Sequence, residues 1–202
     1  MLLKALLALT LALTAAPAAE YIDSLTGKNE TGVFAGWETL SGNWKQTESF
    51  LAGSSSGGDG LLLYKKKVFT DFILECKVRV ESREGSLVFR AVDRQNLYIL
   101  VFNPKVNPED QGSILLIRRV KGRETYFAGS EQYIRLKEWV TLKVACEGKK
   151  IEIYVNGNLT VSVEDPNFES GFVGLRVFGD FFYGCNAGFK DFLVKAAEEK
   201  KK

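Results

Sequence analysis

The chain has 202 residues, with 27 basic and 25 acidic side chains and no histidine. The near-neutral balance, with both signs interspersed, argues against an electrostatic nucleic-acid binder. The missing histidine excludes His-based triads, His metal sites and His general bases.

The N-terminal MLLKALLALTLALTAAPA carries one early charge at Lys4, an apolar run from Ala5 to Leu13, and Ala16-Pro17-Ala18 in the A-x-A arrangement of a leader cleavage site. That run is shorter than the roughly 20 residues needed to cross a bilayer. The expectation is therefore a cleaved leader over 1–18, a single domain over 19–196 and a charged, solvated tail over 197–202. The mature protein is then secreted or periplasmic, and it has no membrane span once the leader is removed.

The glycine- and serine-rich GSSSGGDG (53–60) reads as a loop inside the domain. Strands follow it in close succession, beginning with GLLLYKKKVF (60–69). In DFILECKVRVE (71–81), Phe72, Leu74, Cys76, Val78 and Val80 alternate with charged residues, the mark of a strand with one wet face. SLVFRA (86–91), LYILVF (97–102) and SILLIRRV (113–120) come next. Residues 139–165 hold three more alternating runs, Leu142-Val144-Cys146, Ile151-Ile153-Val155 and Leu159-Val161-Val163, the last two joined by the hairpin signal Asn156-Gly157. GFVGLRVF (171–178) and FKDFLVKA (189–196) complete the series. No stretch of the mature chain shows a capped 3.6-residue period, so the pattern predicts an all-β, two-sheet antiparallel sandwich.

The meander strands are wet on one face, whereas those at 86–91, 97–102, 113–120 and 171–178 are apolar or aromatic on both. One parity supplies a core of Leu87, Phe89, Leu97, Ile99, Val101, Val173, Leu175 and Val177. The other then turns Ser86, Val88, Arg90, Tyr98, Leu100, Phe102, Phe172, Gly174, Arg176 and Phe178 outward. A face that mixes arginines with aromatics suits sugars, whose C–H faces pack on rings while hydroxyls meet forked guanidinium donors. Arg90, Tyr98 and Arg176 are the expected contacts, with Asp93, Phe178 and Tyr183 beside them. The competing reading pairs both arginines with carboxylates such as Asp93 and Glu75.

Cys76, Cys146 and Cys185 match no zinc spacing, and the first two share the core parity of their strands. Buried thiols and a Cys76–Cys146 bridge both remain open. Trp37, Trp44 and Trp139 are expected in the core. Phe178, Phe181, Phe182 and Tyr183 cluster around Gly179 and Gly184, either as core under a loop or as an exposed platform. Glu109-Asp110 and Glu164-Asp165 each lie beside a proline and read as exposed turns. Asn29 and Asn158 open N-x-T sequons.

DFILECKVRV, GSLVFRAVDRQNLYILVF, EWVTLKVACEGKKIEIYVNG and FESGFVGLRVFGDFFYGCNAGFKDFLV together resemble the concanavalin A-like lectin/glucanase superfamily. The nearest branches are the carbohydrate-binding modules of fructan-degrading enzymes and the 3-keto-disaccharide hydrolase-like domains. The resemblance implies a jelly roll that binds an oligo- or polysaccharide on its concave sheet or its edge loops, with the arginines of FRA and GLR, here Arg90 and Arg176, as the positions carried over. It also implies a structural calcium ion, for which Asp23 and Asp191 are the candidates because the two termini meet in such folds. The ExDxxE signature of the related glucanases is absent, and REGS (83–86) replaces the GNSG-type stretch of the hydrolase-like branch. No catalytic residue is assigned. Non-catalytic glycan binding is the leading expectation; a glycoside hydrolase, or a laminin G-like protein-interaction domain, is the alternative.

Overall fold

The computed structural model describes residues 35–105, 112–132, 134–179 and 184–196. These form fourteen strands: β1 (Trp37–Ser41), β2 (Asn43–Gln46), β3 (Leu51–Ser55), β4 (Gly58–Phe69), β5 (Phe72–Ser82), β6 (Gly85–Asp93), β7 (Asn96–Asn103), β8 (Gly112–Val120), β9 (Arg123–Gln132), β10 (Val140–Glu147), β11 (Lys150–Val155), β12 (Asn158–Glu164), β13 (Gly171–Gly179) and β14 (Cys185–Ala196). They assemble into two seven-stranded sheets. The first has the order β1-β4-β13-β6-β7-β8-β9, the second β12-β11-β10-β5-β14-β3-β2, and all pairings are antiparallel. The architecture is a two-sheet antiparallel jelly-roll sandwich.

The strands expected from alternation are present, but β1, β2, β3 and β9 were not legible. Their polar and small residues hide the period: β9 is RETYFAGSEQ, with no buried residue on it. The stretch at 53–60 is also more ordered than expected. It is the corner where β3, in the second sheet, passes to β4, in the first, turning at Gly58 with φ +75°.

The core between the sheets takes Phe72, Leu74, Cys76, Val78 and Val80 from β5 and Val173, Leu175 and Val177 from β13, as the alternation predicts. In β7 the parity is the reverse of the expectation. Tyr98, Leu100 and Phe102 face the core, whereas Leu97, Ile99 and Val101 lie on the outer face of the first sheet. Register explains this: Tyr98 lies opposite Phe89 and Leu100 opposite Leu87, and opposed residues in a ladder share a face. Leu159 is also out of place, exposed by a shift of register between Ile153 and Tyr154 that sets it opposite the outward Tyr154.

Cys76 lies opposite Leu142 and Cys146 opposite Phe72. That offset of four residues is about 13 Å along the strands, too far for a bridge. All three cysteines are free and buried, and burial pushes each thiol pKa up, that of Cys146 to about 12. Trp37 is in the core and Trp44 packs against it, but Trp139 lies on the outer face of the second sheet. There, just before β10, it takes the cations of Arg79 and Lys190 on its ring, 4.9 and 4.3 Å from the centroid.

Candidate ligand-binding face

The outer face of the first sheet carries a second apolar layer: Leu61 and Leu63 from β4, Val88 from β6, and Leu97, Ile99 and Val101 from β7. Each of these residues is 2% exposed or less, with Leu40, Leu115, Ile117 and Phe172 packed against the layer. At one margin of it, five charged side chains from four strands and a loop converge.

Arg176 of β13 donates through Nε to Asp59 Oδ1 at 2.6 Å and through Nη1 to Glu84 Oε1 at 2.5 Å. Arg119 of β8 pairs with the other oxygen of Asp59 at 2.7 Å and donates to Glu124 through Nε at 3.1 Å. Glu124 of β9 lies 3.7 Å from Arg176 Nη2, which closes the ring. Asp59 and Arg119 belong to strands four places apart in the sheet, roughly 19 Å if it were flat. Their contact requires the sheet to curl toward this side, so the outer face is concave.

The electrostatics follow from this crowding. Burial alone would raise the Asp59 pKa, but Arg176 and Arg119 outweigh it and hold the carboxyl below its ordinary 3.8. Glu84 goes the other way: burial raises its pKa, Arg176 offsets only part of that, and the neighbouring Glu124 and Asp59 add to the rise. Phe178 stands over Arg176, its ring 4.8 Å from the guanidinium carbon, and is 37% exposed. A pocket of about 180 Å³ opens beside it, lined by Arg83, Glu84, Asn103 and Phe178. The arrangement supplies fixed donors, fixed acceptors and an accessible ring within one concavity.

Of the residues expected to form this site, Arg176 and Phe178 are in it. Arg90 is not. Its φ of +46° interrupts the alternation of β6, at an irregularity in pairing between Phe89 and Asp93, and swings the side chain to the end of the sandwich between the sheets. There it is fully buried and donates to the carbonyls of Phe168 at 3.0 Å, Thr70 at 3.0 Å and Gly148 at 2.7 Å. It shares no partner with Arg176; the competing reading of carboxylate pairing holds for Arg176 through Asp59 and Glu84 in place of Asp93 and Glu75, and Asp71 lies 3.8 Å from Arg90 Nη2.

Tyr98 is likewise internal. It stacks on Phe89 and donates to Asp165 Oδ1 at 2.5 Å, so Asp165, expected in an exposed turn, is buried and also paired with Arg118. Asp93 accepts from Gln95 N at 2.6 Å and from the Asn96 side chain, and it shapes the β6–β7 turn instead of a ligand site. Asp191, at φ +54° in a bulge of β14, pairs with Lys77 at 2.7 Å and belongs to no group of three or more His, Cys, Asp or Glu side chains placed to hold a metal among the described residues. Asp23, Asn29, Glu109, Asp110, Phe181, Phe182 and Tyr183 lie outside the described residues.

Asp59, Glu84, Arg119 and Glu124 were missed. They are far apart in sequence, and Asp59 and Glu84 stand in stretches that read as a loop and as a motif departure. The usable signal was Arg176 itself: an arginine turned outward among apolar neighbours needs carboxylates, and Asp59 stands at the start of β4 and Glu84 just before β6, the two strands beside β13.

Comparison with known proteins agrees with this architecture. Levanase of Bacillus subtilis (strain 168) is 25% identical over 147 residues, covering 70% of this chain and 21% of that protein, so the chain spans about a fifth of that relative's length. The carbohydrate binding module CBM66 from Bacillus subtilis superposes with a TM-score of 0.69 at 24% identity, covering 80% of this chain and 96% of the module. The Bacillus licheniformis β-glucanase gives a TM-score of 0.63 at 12% identity over 91% and 99% of the two chains. The model of the 3-keto-alpha-glucoside-1,2-lyase-like domain matches residues 23–195, and the chain belongs to that family.

Proposed function

We propose that this chain is a carbohydrate-binding domain that holds a saccharide on the concave outer face of its first sheet. The carrying observation is the closed network of Arg176, Arg119, Asp59, Glu84 and Glu124 beside the exposed ring of Phe178. A sugar hydroxyl both donates and accepts, and this network presents both functions in a geometry fixed before the ligand arrives. Phe178 offers the apolar surface that the C–H face of a sugar ring packs on. The fold likeness to a carbohydrate-binding module and the similarity to part of a levanase support this reading. The leader-like N-terminus is consistent with work outside the cytoplasm.

The test is a binding titration of the full chain against levan and a panel of neutral and acidic polysaccharides, run beside Phe178→Ala. Retention of one class by the wild type, weakened about tenfold in a variant that melts at the same temperature, is the expected result. No retention of any saccharide overturns the reading.

A catalytic reading has one specific observation in its favour. Glu84, its pKa raised by burial, lies beside two further carboxylates and lines the open pocket next to Phe178, and neighbouring carboxylates in an open pocket are the groups that carry acid–base work. The family description directs the assay to 3-keto-α-glucosides. Release of the 3-keto sugar by the wild type and not by Glu84→Gln would establish this reading. Absence of turnover in both leaves binding alone.

A further inference from the structure

We propose that a cleft at the end of the sandwich, remote from the arginine network, is a second saccharide-binding site. The cleft has a volume of about 640 Å³ and runs between the β4–β5 turn and the β10–β11 hairpin. That size falls in the range of ligand pockets, roughly 300–1,000 Å³.

Its walls are pinned from behind. Arg90 donates from the same Nη2 to Thr70 O in one turn and to Gly148 O in the other, and Gly148 N donates to Asp71 Oδ1 at 2.8 Å. A fully buried guanidinium thus holds the two turns at a set separation, and the space between them exists without a ligand to prop it open. This gives Arg90 a positioning role in a site it does not touch.

The lining identifies the class of ligand. Val68 and Ile73 are 51% and 40% exposed, so the rim offers apolar surface to water. Asp71, Glu147 and Glu152 supply acceptors, and Lys67 and Lys150 bring donors alongside, Lys150 in contact with Glu152. Two lysines set against three carboxylates give the lining no strong single sign to draw a highly charged ligand, and a purely apolar one would strip water from these groups without replacing its hydrogen bonds. A neutral, hydroxyl-rich ring with one apolar face satisfies both halves of the lining. This inference shares with the preceding reading only the class of ligand, and the two sites stand or fall separately. Two sites on one domain would grip a single polysaccharide by avidity.

The experiment is an amide chemical-shift titration of the full, isotope-labelled chain with neutral oligosaccharides, repeated on Ala145→Trp, which fills the cleft. Ile73→Arg, at an exposed position, serves if the first variant does not fold. Two sets of shifts are expected, one around Arg176 and Phe178 and one over residues 68–73 and 145–152, with only the second lost in the variant. Retention on polysaccharide should then fall on the order of 10²-fold when either site is closed. Shifts confined to the first-sheet face, or end-cleft shifts that survive Ala145→Trp, overturn the proposal. Shifts at the end cleft alone uphold it and overturn the concave-face reading, and no shifts anywhere overturn both.

Discussion

Arg90 and Arg176 look equivalent as letters, each an arginine in an apolar strand, yet backbone geometry sends them to different tasks. Arg176 keeps the alternation of β13 and reaches the outer face, whereas the left-handed φ of Arg90 turns it inward onto three carbonyls. Nothing in the sequence announces this, because arginine is not a residue that marks positive φ. Removing the side chain in Arg90→Ala takes the guanidinium donors from three partly buried carbonyls and leaves a cavity between the sheets. The expected cost is about 3–5 kcal/mol of stability, read by denaturant unfolding. Asp165 carries a second expectation at this scale. Burial would raise its pKa, but hydrogen bonds from Tyr98 and Asn167 overcome that and hold it below the ordinary 3.8. A carboxyl with a depressed folded pKa contributes stability that is present above the unfolded value and is lost as pH falls through the folded one. The melting temperature of the wild type should therefore drop below about pH 3.8, more steeply than that of Asp165→Asn, which starts lower and lacks that contribution to the acid limb.

At the scale of elements, legibility followed wetness. β5, β10 and β11 have one charged face, and their inward residues were readable from alternation alone. β7 is apolar on both faces, so alternation could not choose between Tyr98 and Ile99, and only pairing with β6 settles the parity. The same two-sided apolarity marked the strands of the candidate site, because a concave face with its own apolar layer needs it. A third of that site was legible, Arg176 and Phe178. The carboxylates that complete it were not, since strand order rather than sequence order brings them together. β13 depends on close approach to β6 at the Arg90 irregularity. A Cβ added to Gly171 would lie 2.3 Å from the Arg90 carbonyl carbon and 2.6 Å from Ala91 N, both main-chain atoms that cannot swing away. Gly171→Ala is expected to lower the melting temperature by several degrees and to raise amide exchange across β6 and β13. An unchanged melting temperature would show that the strands part without penalty.

At the scale of the whole molecule, the fold separates a dry interior from a charged concavity. The three cysteines belong to the interior: none is bridged, and burial raises the pKa of each. Alkylation of the native protein should label no thiol, and alkylation after unfolding should label three; fast native labelling would mean that the core opens. The concavity is where a saccharide is expected, and its distinction from Arg90 is the central claim. The most direct measurement is a saccharide titration of Arg176→Lys beside Arg90→Lys, each at a temperature where it is folded. Loss of the forked donation to Asp59 and Glu84 in Arg176→Lys should weaken binding read at the amides around Phe178 about 10- to 100-fold, roughly 1.5–3 kcal/mol, while Arg90→Lys leaves binding at that face as in the wild type and melts earlier. Full affinity in Arg176→Lys, with binding lost in a folded Arg90→Lys, would contradict the placement of the site on the first sheet.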